Sequence, residues 1–463
     1  MLNVIGLGGR AFRLWISAFF LFSWPASAAG APAGQGLSFR LGQVLSSAPY
    51  PMTRVLADVD GDGDLDLFLG TFDPKPDVLF LNDGKGHFRM TGPWRFHGLG
   101  EETSQAEFLD LDGDGDLDLF LGTNRAVRLL FNDGRGFFRE RRKVFPPLLG
   151  KGPYFGLGDL DGDGDKDLLV RAWRKRVKGS IRAEIQYYLN QGKGRFSGPV
   201  TLNVTVGFAE RPFSFDINND GLSDVLETPR NADDRPGWKP PIMFFRNLGG
   251  LKFREDSSLN LPEFFGYSLY KDNMFGFGRL LAGDIDGDGL CDLAVPRWGT
   301  HLKEELAILL NQKGRGFKED EGFRELQRKW ITERGCERWS IPYPFLYDMD
   351  GDGRLDLVAA VFWGKRGKRH REILFFMNRG KLGFQIFSMS PDLLRGRKSP
   401  RPVLGGDLNG DGLPDLIVEC GGMDKGKRIP LFILVLFQEG KKGSASGRGP
   451  ATPGAKSSRK KMP

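Results

Sequence analysis

A nine-residue pattern, D-x-[DN]-x-D-G-x-x-D, recurs seven times in this 463-residue chain, and no other feature narrows the possible folds as far. The copies begin at Asp58, Asp110, Asp159, Asp216, Asp284, Asp348 and Asp407, spaced 52, 49, 57, 68, 64 and 59 residues apart. A motif returning at such a period marks one supersecondary unit used repeatedly. A short apolar segment leads into each copy, such as FGLG at 155–158, and most copies are followed at once by an apolar run, such as LFL at 67–69 or LIV at 416–418. Runs this short, bounded by turn residues, fit buried strands better than helices. A third run, such as VLFL at 78–81 or ILFFM at 373–377, ends in an Asn and a Gly-rich turn leading to Phe. That turn occupies 82–88, 132–138, 190–196, 311–317 and 378–384, with 247–253 a looser copy. Asn and Gly supply the positive φ angles of a tight hairpin.

Seven units of four antiparallel strands predict an all-β chain arranged as a seven-bladed β-propeller, a shape that limits exposed sheet edges. The last unit stops at FQEG, 437–440, without its Phe strand, whereas GLSF at 36–39 looks like the missing piece. The N-terminal strand is therefore expected to close the last blade, with the propeller spanning 29–440.

The ends read differently. Arg10 and Arg13 precede an apolar stretch at 14–24, and ASA at 26–28 reads as a cleavage site. Residues 1–28 are thus expected to be a secretory signal peptide, too short for a comfortable membrane span. Residues 441–463 are rich in Gly, Ser, Pro and Lys and are expected to be a disordered basic tail. Of the formal charge of +7, +2 belongs to Arg10 and Arg13 and +6 to the segment from Glu439 onward, leaving −1 for the body. Net charge therefore gives no argument for nucleic-acid binding. Three cysteines, without C-x-x-C or zinc spacing, exclude a disulfide scaffold.

Clustered carboxylates repel one another, and a hard divalent cation reverses that cost. Calcium takes six to eight oxygens, and the loop offers them at positions 1, 3, 5, 7 and 9. The expected ligands in the first three loops are Asp58, Asp60, Asp62, Asp64 and Asp66; Asp110, Asp112, Asp114, Asp116 and Asp118; and Asp159, Asp161, Asp163, Asp165 and Asp167. The fourth and fifth offer Asp216, Asn218, Asp220, Leu222 and Asp224, and Asp284, Asp286, Asp288, Leu290 and Asp292. The sixth and seventh offer Asp348, Asp350, Asp352, Arg354 and Asp356, and Asp407, Asn409, Asp411, Leu413 and Asp415. Position 7 varies freely, as expected if it coordinates through its backbone carbonyl, and position 6 is always Gly, where the chain turns around the ion. Up to seven structural Ca²⁺ ions are expected. An EF-hand needs Glu at position 12, where this chain has Leu69, Leu121, Val170, Glu227, Val295, Ala359 and Val418. EF-hands are excluded.

These loops, together with Phe155-Gly156, Phe275-Gly276 and the Asn-Gly-Phe turns, resemble the FG-GAP/VCBS repeat family, which includes integrin α-subunit propellers, over roughly 35–440. The resemblance implies a propeller with calcium in its loops. The Gly-Ala-Pro half of the family signature is replaced by Gly283-Asp284 and Gly406-Asp407, so integrin-like partner binding is not carried over.

Alternating strand direction places the acidic loops and Asn-Gly turns on one face of the disc, and the remaining connections on the other. Trp173, Arg174, Trp238, Trp298, Trp363 and Arg366 fall in those other connections, as do Trp94, Trp330 and Trp339. A basic, aromatic face suits an anionic glycan or an acidic protein surface, while a repeated Trp near a strand end also suits packing between blades. Four scattered His and no G-x-S-x-G elbow give little sign of catalysis. The function expected is a secreted calcium-binding module for extracellular binding or adhesion. The alternative is a polysaccharide-processing enzyme of the lyase or dehydratase type.

Overall fold

The structure, a computed structural model, describes residues 37–46, 51–71, 76–96, 102–141, 144–145, 155–173, 183–206, 208–230, 243–259, 261, 280–298, 304–341, 344–365, 368–380, 383–389, 392–394, 400–424 and 427–440. The segments expected to be a signal peptide and a basic tail lie outside them. Among the described residues no helix is long and apolar enough to cross a membrane.

Seven antiparallel sheets succeed one another along the chain, forming a seven-bladed β-propeller. In the first blade Pro51–Ala57 passes through the acidic loop into Asp66–Thr71, followed by Val78–Leu81 and Arg89–Met90, each paired with the strand before it. Every residue of Asp66–Thr71 is buried, as is every residue of Asp118–Thr123 in the second blade. Neighbouring blades cover both faces of these strands, which is why they read as unbroken apolar runs rather than alternating ones. Seven hydrophobic clusters fill the seven junctions. Val55, Phe68, Phe108 and Leu119 pack between the first and second blades, and Leu56, Leu67, Ile417 and Val435 between the seventh and first.

The ring closes as the chain ends suggest. The N-terminal strand Phe39–Ser46 runs antiparallel to Lys427–Gln438, pairing Phe39 with Gln438 and Ser46 with Phe432. It completes a sheet with Asp415–Asp424 and Arg401–Gly406. Phe39 stacks on Phe375 of the sixth blade at 5.5 Å. On the other side, Gln43 exchanges two hydrogen bonds with the backbone of Phe88 in the first blade, donating at 3.0 Å and accepting at 2.7 Å. Arg54 of the first blade donates to both oxygens of the buried Glu419 of the seventh.

One element departs from the all-β expectation. An α-helix, Glu321–Arg334, lies between the fifth and sixth blades. Asp320 caps its start by accepting from the Gly322 N–H, and Gly335 ends it at φ 61. Phe323, Gln327 and Trp330, spaced at i, i+4 and i+7, form its buried side. Gln327 accepts from the Leu306 N–H at 3.1 Å and donates to its carbonyl at 2.7 Å. The fourth strand of that blade, Phe317–Glu319, pairs only with 309–311, so the helix side chain satisfies an edge that the strand does not reach.

Candidate metal centres

Each acidic loop folds around its first carboxylate. Asp58 accepts the N–H of Gly61 on Oδ1 at 2.8 Å and that of Gly63 on Oδ2 at 3.0 Å, and Asp110 and Asp159 repeat the pair. Reaching one side chain from both amides turns the backbone through positive φ, 75° at Gly61 and 94° at Gly63. In the fourth loop Asn219 adopts φ 59 at the first of these positions, a conformation Asn tolerates better than most residues.

The fifth position holds the seventh. Its carboxylate accepts the N–H of residue 7 in all seven loops, from Asp64 on Asp62 at 3.0 Å to Leu413 on Asp411 at 2.9 Å. The peptide at position 7 is thereby oriented whatever its side chain, which is how Asp, Leu and Arg all serve there.

The ninth position is a buried strut. Asp66, Asp118, Asp167, Asp224, Asp292, Asp356 and Asp415 are all at most 2% exposed. Asp66 accepts the Val59 N–H at 3.1 Å and the Asn82 N–H at 2.9 Å, tying the loop to the head of the Asn-Gly turn. Asp415 does the same with Leu408 at 3.0 Å and Gln438 at 2.8 Å. Burial outweighs these donors and pushes the carboxyls of Asp66, Asp118, Asp167, Asp224 and Asp415 up to about 7, Asp292 to about 6 and Asp356 to about 8. A carboxyl that holds its proton more tightly when folded stabilises the fold fully below its unfolded value, near 3.8, and loses that contribution as pH climbs through the folded value. The metal-free protein is therefore expected to melt at a higher temperature at pH 5 than at pH 8, with calcium abolishing the difference. Thermal melts in chelator at the two pH values check this, and a lower melting temperature at pH 5 would contradict it.

The turn Asn then reaches the neighbouring blade. Asn82 donates to Leu408 O at 2.9 Å, Asn132 to Val59 O at 2.7 Å, Asn247 to Leu160 O, Asn311 to Ile217 O and Asn378 to Ile285 O, the last three also at 2.7 Å. Every acceptor is residue 2 of the preceding blade's loop. In the seventh blade Gln438 takes the Asn position; with its amide nitrogen turned to face the two carbonyls it donates to Met349 O at 3.1 Å and Pro414 O at 2.8 Å. Sequence reading placed the Asn in its turn but missed its partner in the neighbouring blade. Position 2 is always apolar and buried (Val59, Leu111, Leu160, Ile217, Ile285, Met349, Leu408), a periodic signal plain in the sequence.

The loops have the chemistry of a cation site. One oxygen from each of Asp58, Asp60 and Asp62 lies within 4.8 Å of the others, and so do those of Asp110, Asp112 and Asp118; Asp159, Asp161 and Asp167; Asp284, Asp286 and Asp292; and Asp348, Asp350 and Asp356. The fourth and seventh loops, with Asn218 and Asn409 at position 3, form no such trio of carboxylates among the described residues. Asp60 Oδ1, Asp112 Oδ1, Asn218 Oδ1 and Asp350 Oδ1, all from position 3, are buried without any hydrogen-bond partner. An orphaned buried oxygen costs on the order of 1–3 kcal/mol, more when charged, and a hard cation among all-oxygen donors removes that cost. Burial and the neighbouring carboxylates also raise Asp60, Asp112, Asp161 and Asp286 above the ordinary range. In the loops that begin at Asp58, Asp110, Asp159 and Asp284 the residues present fit a metal ion.

The tryptophans are placed less uniformly than the loops. Trp363 is half-buried, stacks on His370 at 3.9 Å and packs beside Trp330, which meets the buried Trp339 at 4.8 Å. Its indole N–H donates to Glu372 Oε1 at 3.0 Å, so it serves the junction of helix and sixth blade. Trp173 and Trp298 end the strands Asp167–Trp173 and Asp292–Trp298. Trp94 stands exposed on the short 3₁₀ turn Pro93–Phe96. Arg174, Trp238 and Arg366 lie outside the described residues.

Comparison with known proteins agrees with this architecture. An FG-GAP-like repeat model matches residues 58–121, 110–170 and 348–418. Integrin alpha-PS3 of Drosophila melanogaster is 30% identical over 154 residues, covering 31% of this chain and 13% of that protein. Integrin alpha-4 of Xenopus laevis is 27% identical over 249 residues, covering 49% and 20%. The chain thus spans a fifth or less of these relatives' length. Among solved structures, an Agrocybe aegerita lectin that recognises non-reducing terminal N-acetylglucosamine superposes with a TM-score of 0.47 and 17% identity, covering 74% of this chain and 80% of that one. A likeness at that level carries no functional argument.

Proposed function

Because this chain is built of FG-GAP-like repeats closed into a seven-bladed ring, we propose that it is a secreted, calcium-stabilised binding module whose ligand docks away from the acidic loops. The observation that carries the reading is the division between the two faces. One face is occupied by the seven loops and the belt of turn amides that joins them, so calcium there serves the scaffold. The ions would be held by the carboxylates or Asn carbonyl at positions 1, 3, 5 and 9 and the main-chain carbonyl at position 7. A hard cation supplies charge neutralisation and fixed geometry there.

The other face carries the long hairpins. Asp356–Lys365 with Lys368–Asn378, and Asp415–Asp424 with Lys427–Gln438, exceed the six-residue Asp66–Thr71 by four to six residues per strand. At about 3.3 Å per residue they reach roughly 13 Å or more beyond it. Lys365, Lys368 and Arg371 are exposed near the tip of the first hairpin. Exposed cations on a projecting element suit an anionic glycan or an acidic protein surface. Heparin serves as the probe. Charge reversal of Lys365, Lys368 and Arg371 is expected to weaken salt-sensitive heparin binding by about tenfold or more, since loss of about 1.4 kcal/mol is enough. Binding that is salt-insensitive and unaltered by the reversal would count against this face.

A further inference from the structure

The sixth acidic loop carries its own cations. Arg354, at position 7, turns its guanidinium back onto Asp352 Oδ2, while its Nε donates to Asn378 O at 3.1 Å. Arg379, the residue after the turn Asn, donates to Asp350 Oδ2. The Asp350 side chain is 6% exposed and that of Arg379 21%, so this is a partly buried pair rather than a fully solvated one. No other blade has arginine at either place. Position 7 elsewhere is Asp64, Asp116, Asp165, Leu222, Leu290 or Leu413, and the residue after the turn amide is Asp83, Asp133, Gln191, Leu248, Gln312 or Glu439. The first loop has a nearby arginine, Arg95, but its Nη1 donates to the carbonyls of Arg135 and Gly136 in the next blade.

The rest of the sixth loop keeps the common form. Asp348 accepts from Gly351 at 2.8 Å and Gly353 at 2.7 Å, and Asp356 accepts from Met349 at 2.8 Å and Asn378 at 2.7 Å. Asp350 Oδ1 still faces inward without a partner. The cradle is intact, and only the means of neutralising it differs.

We propose that Arg354 and Arg379 stand in for the metal ion in this loop and keep calcium out of it, which leaves the ring with one metal-independent loop. The proposal rests on the calcium reading of the sister loops. Two carboxylate oxygens otherwise open to an ion are engaged by guanidinium groups. Two of the loop's four carboxylate charges are cancelled, and both arginines repel an incoming divalent cation across a partly buried space.

The test is a count of bound calcium by native mass spectrometry on the full chain in excess Ca²⁺. The double variant R354L/R379Q places in this loop residues that sister blades carry at the same positions, and it is expected to bind one ion more than wild type. An equal count would overturn the proposal. In the otherwise wild-type chain D352N is expected to leave the count unchanged while D62N lowers it by one, and loss of an ion with D352N would also overturn it. A wild type that binds no calcium would sink the calcium-scaffold reading and the proposal with it, whereas a wild type that binds several ions with a double variant of equal count would sink the arginine proposal alone.

Discussion

Removing calcium with excess EDTA is expected to lower the melting temperature by about 15–20 °C. An ion that binds only the folded state stabilises it by about 2.7 kcal/mol at a hundredfold excess over Kd, so six occupied loops contribute roughly 16 kcal/mol together. Unfolding entropy near 2.1 cal/mol/K per residue, over roughly 400 residues, converts that sum to somewhat under 20 °C. The structural reason is the buried oxygen at position 3. Without an ion, Asp60 Oδ1 and Asp112 Oδ1 have no partner, and the carboxylates of Asp58, Asp60 and Asp62 repel one another within a few ångströms. The loops are also where the belt of turn amides attaches, as with Asn132 on Val59 O, so loosening a loop loosens a blade junction. Differential scanning calorimetry with and without chelator, then with calcium restored, measures the effect. An unchanged melt would remove the structural role assigned to the metal.

Deleting residues 30–46 is expected to lower the melting temperature by a further 10 °C or more and to promote aggregation. The strand Phe39–Ser46 supplies seven cross-strand residue pairs to Lys427–Gln438 and buries Phe39 and Leu45. Side-chain burial at about 1.5–3 kcal/mol each and ladder bonds at about 1 kcal/mol each sum to roughly 10 kcal/mol. The loss falls at the place where the ring shuts. Gln43 no longer bridges to Phe88, Phe39 no longer stacks on Phe375, and the apolar strand ending in Gln438 becomes a free edge able to pair with another chain. A synthetic peptide spanning 36–46 is expected to restore part of the stability in trans. Identical melts for full-length and truncated chains would show that closure contributes nothing.

Most of the scaffold was legible in the sequence because the acidic motif also punctuates the strands. Each acidic loop marks the passage from first to second strand, each Asn-Gly turn the passage from third to fourth, and the truncated seventh unit points to Phe39. The helix 321–334 was written there as well, in Asp320, Phe323, Gln327, Trp330 and Gly335, but its length of charged residues read as a connection between blades. Gln438 escaped notice because the seventh blade lacks the Gly-rich turn that flags the Asn elsewhere. The contacts of Arg95 with residues 40 and 41 positions away, and of Arg141 with Lys193 and Gly194, were beyond reach of a pattern search, since they depend on which blade follows which in space. The same holds for Arg354 and Arg379, whose opposition to Asp352 and Asp350 appears only when loop and turn are brought together.

Anomalous diffraction from crystals grown in calcium addresses the central claim most directly. The expected result is a peak in each acidic loop except the one that begins at Asp348, about 2.3–2.6 Å from the oxygens of positions 1, 3, 5 and 9 and from the main-chain carbonyl of position 7. Loops starting at Asp58, Asp110, Asp159 and Asp284 that refine with ordered structure and no anomalous peak would contradict it.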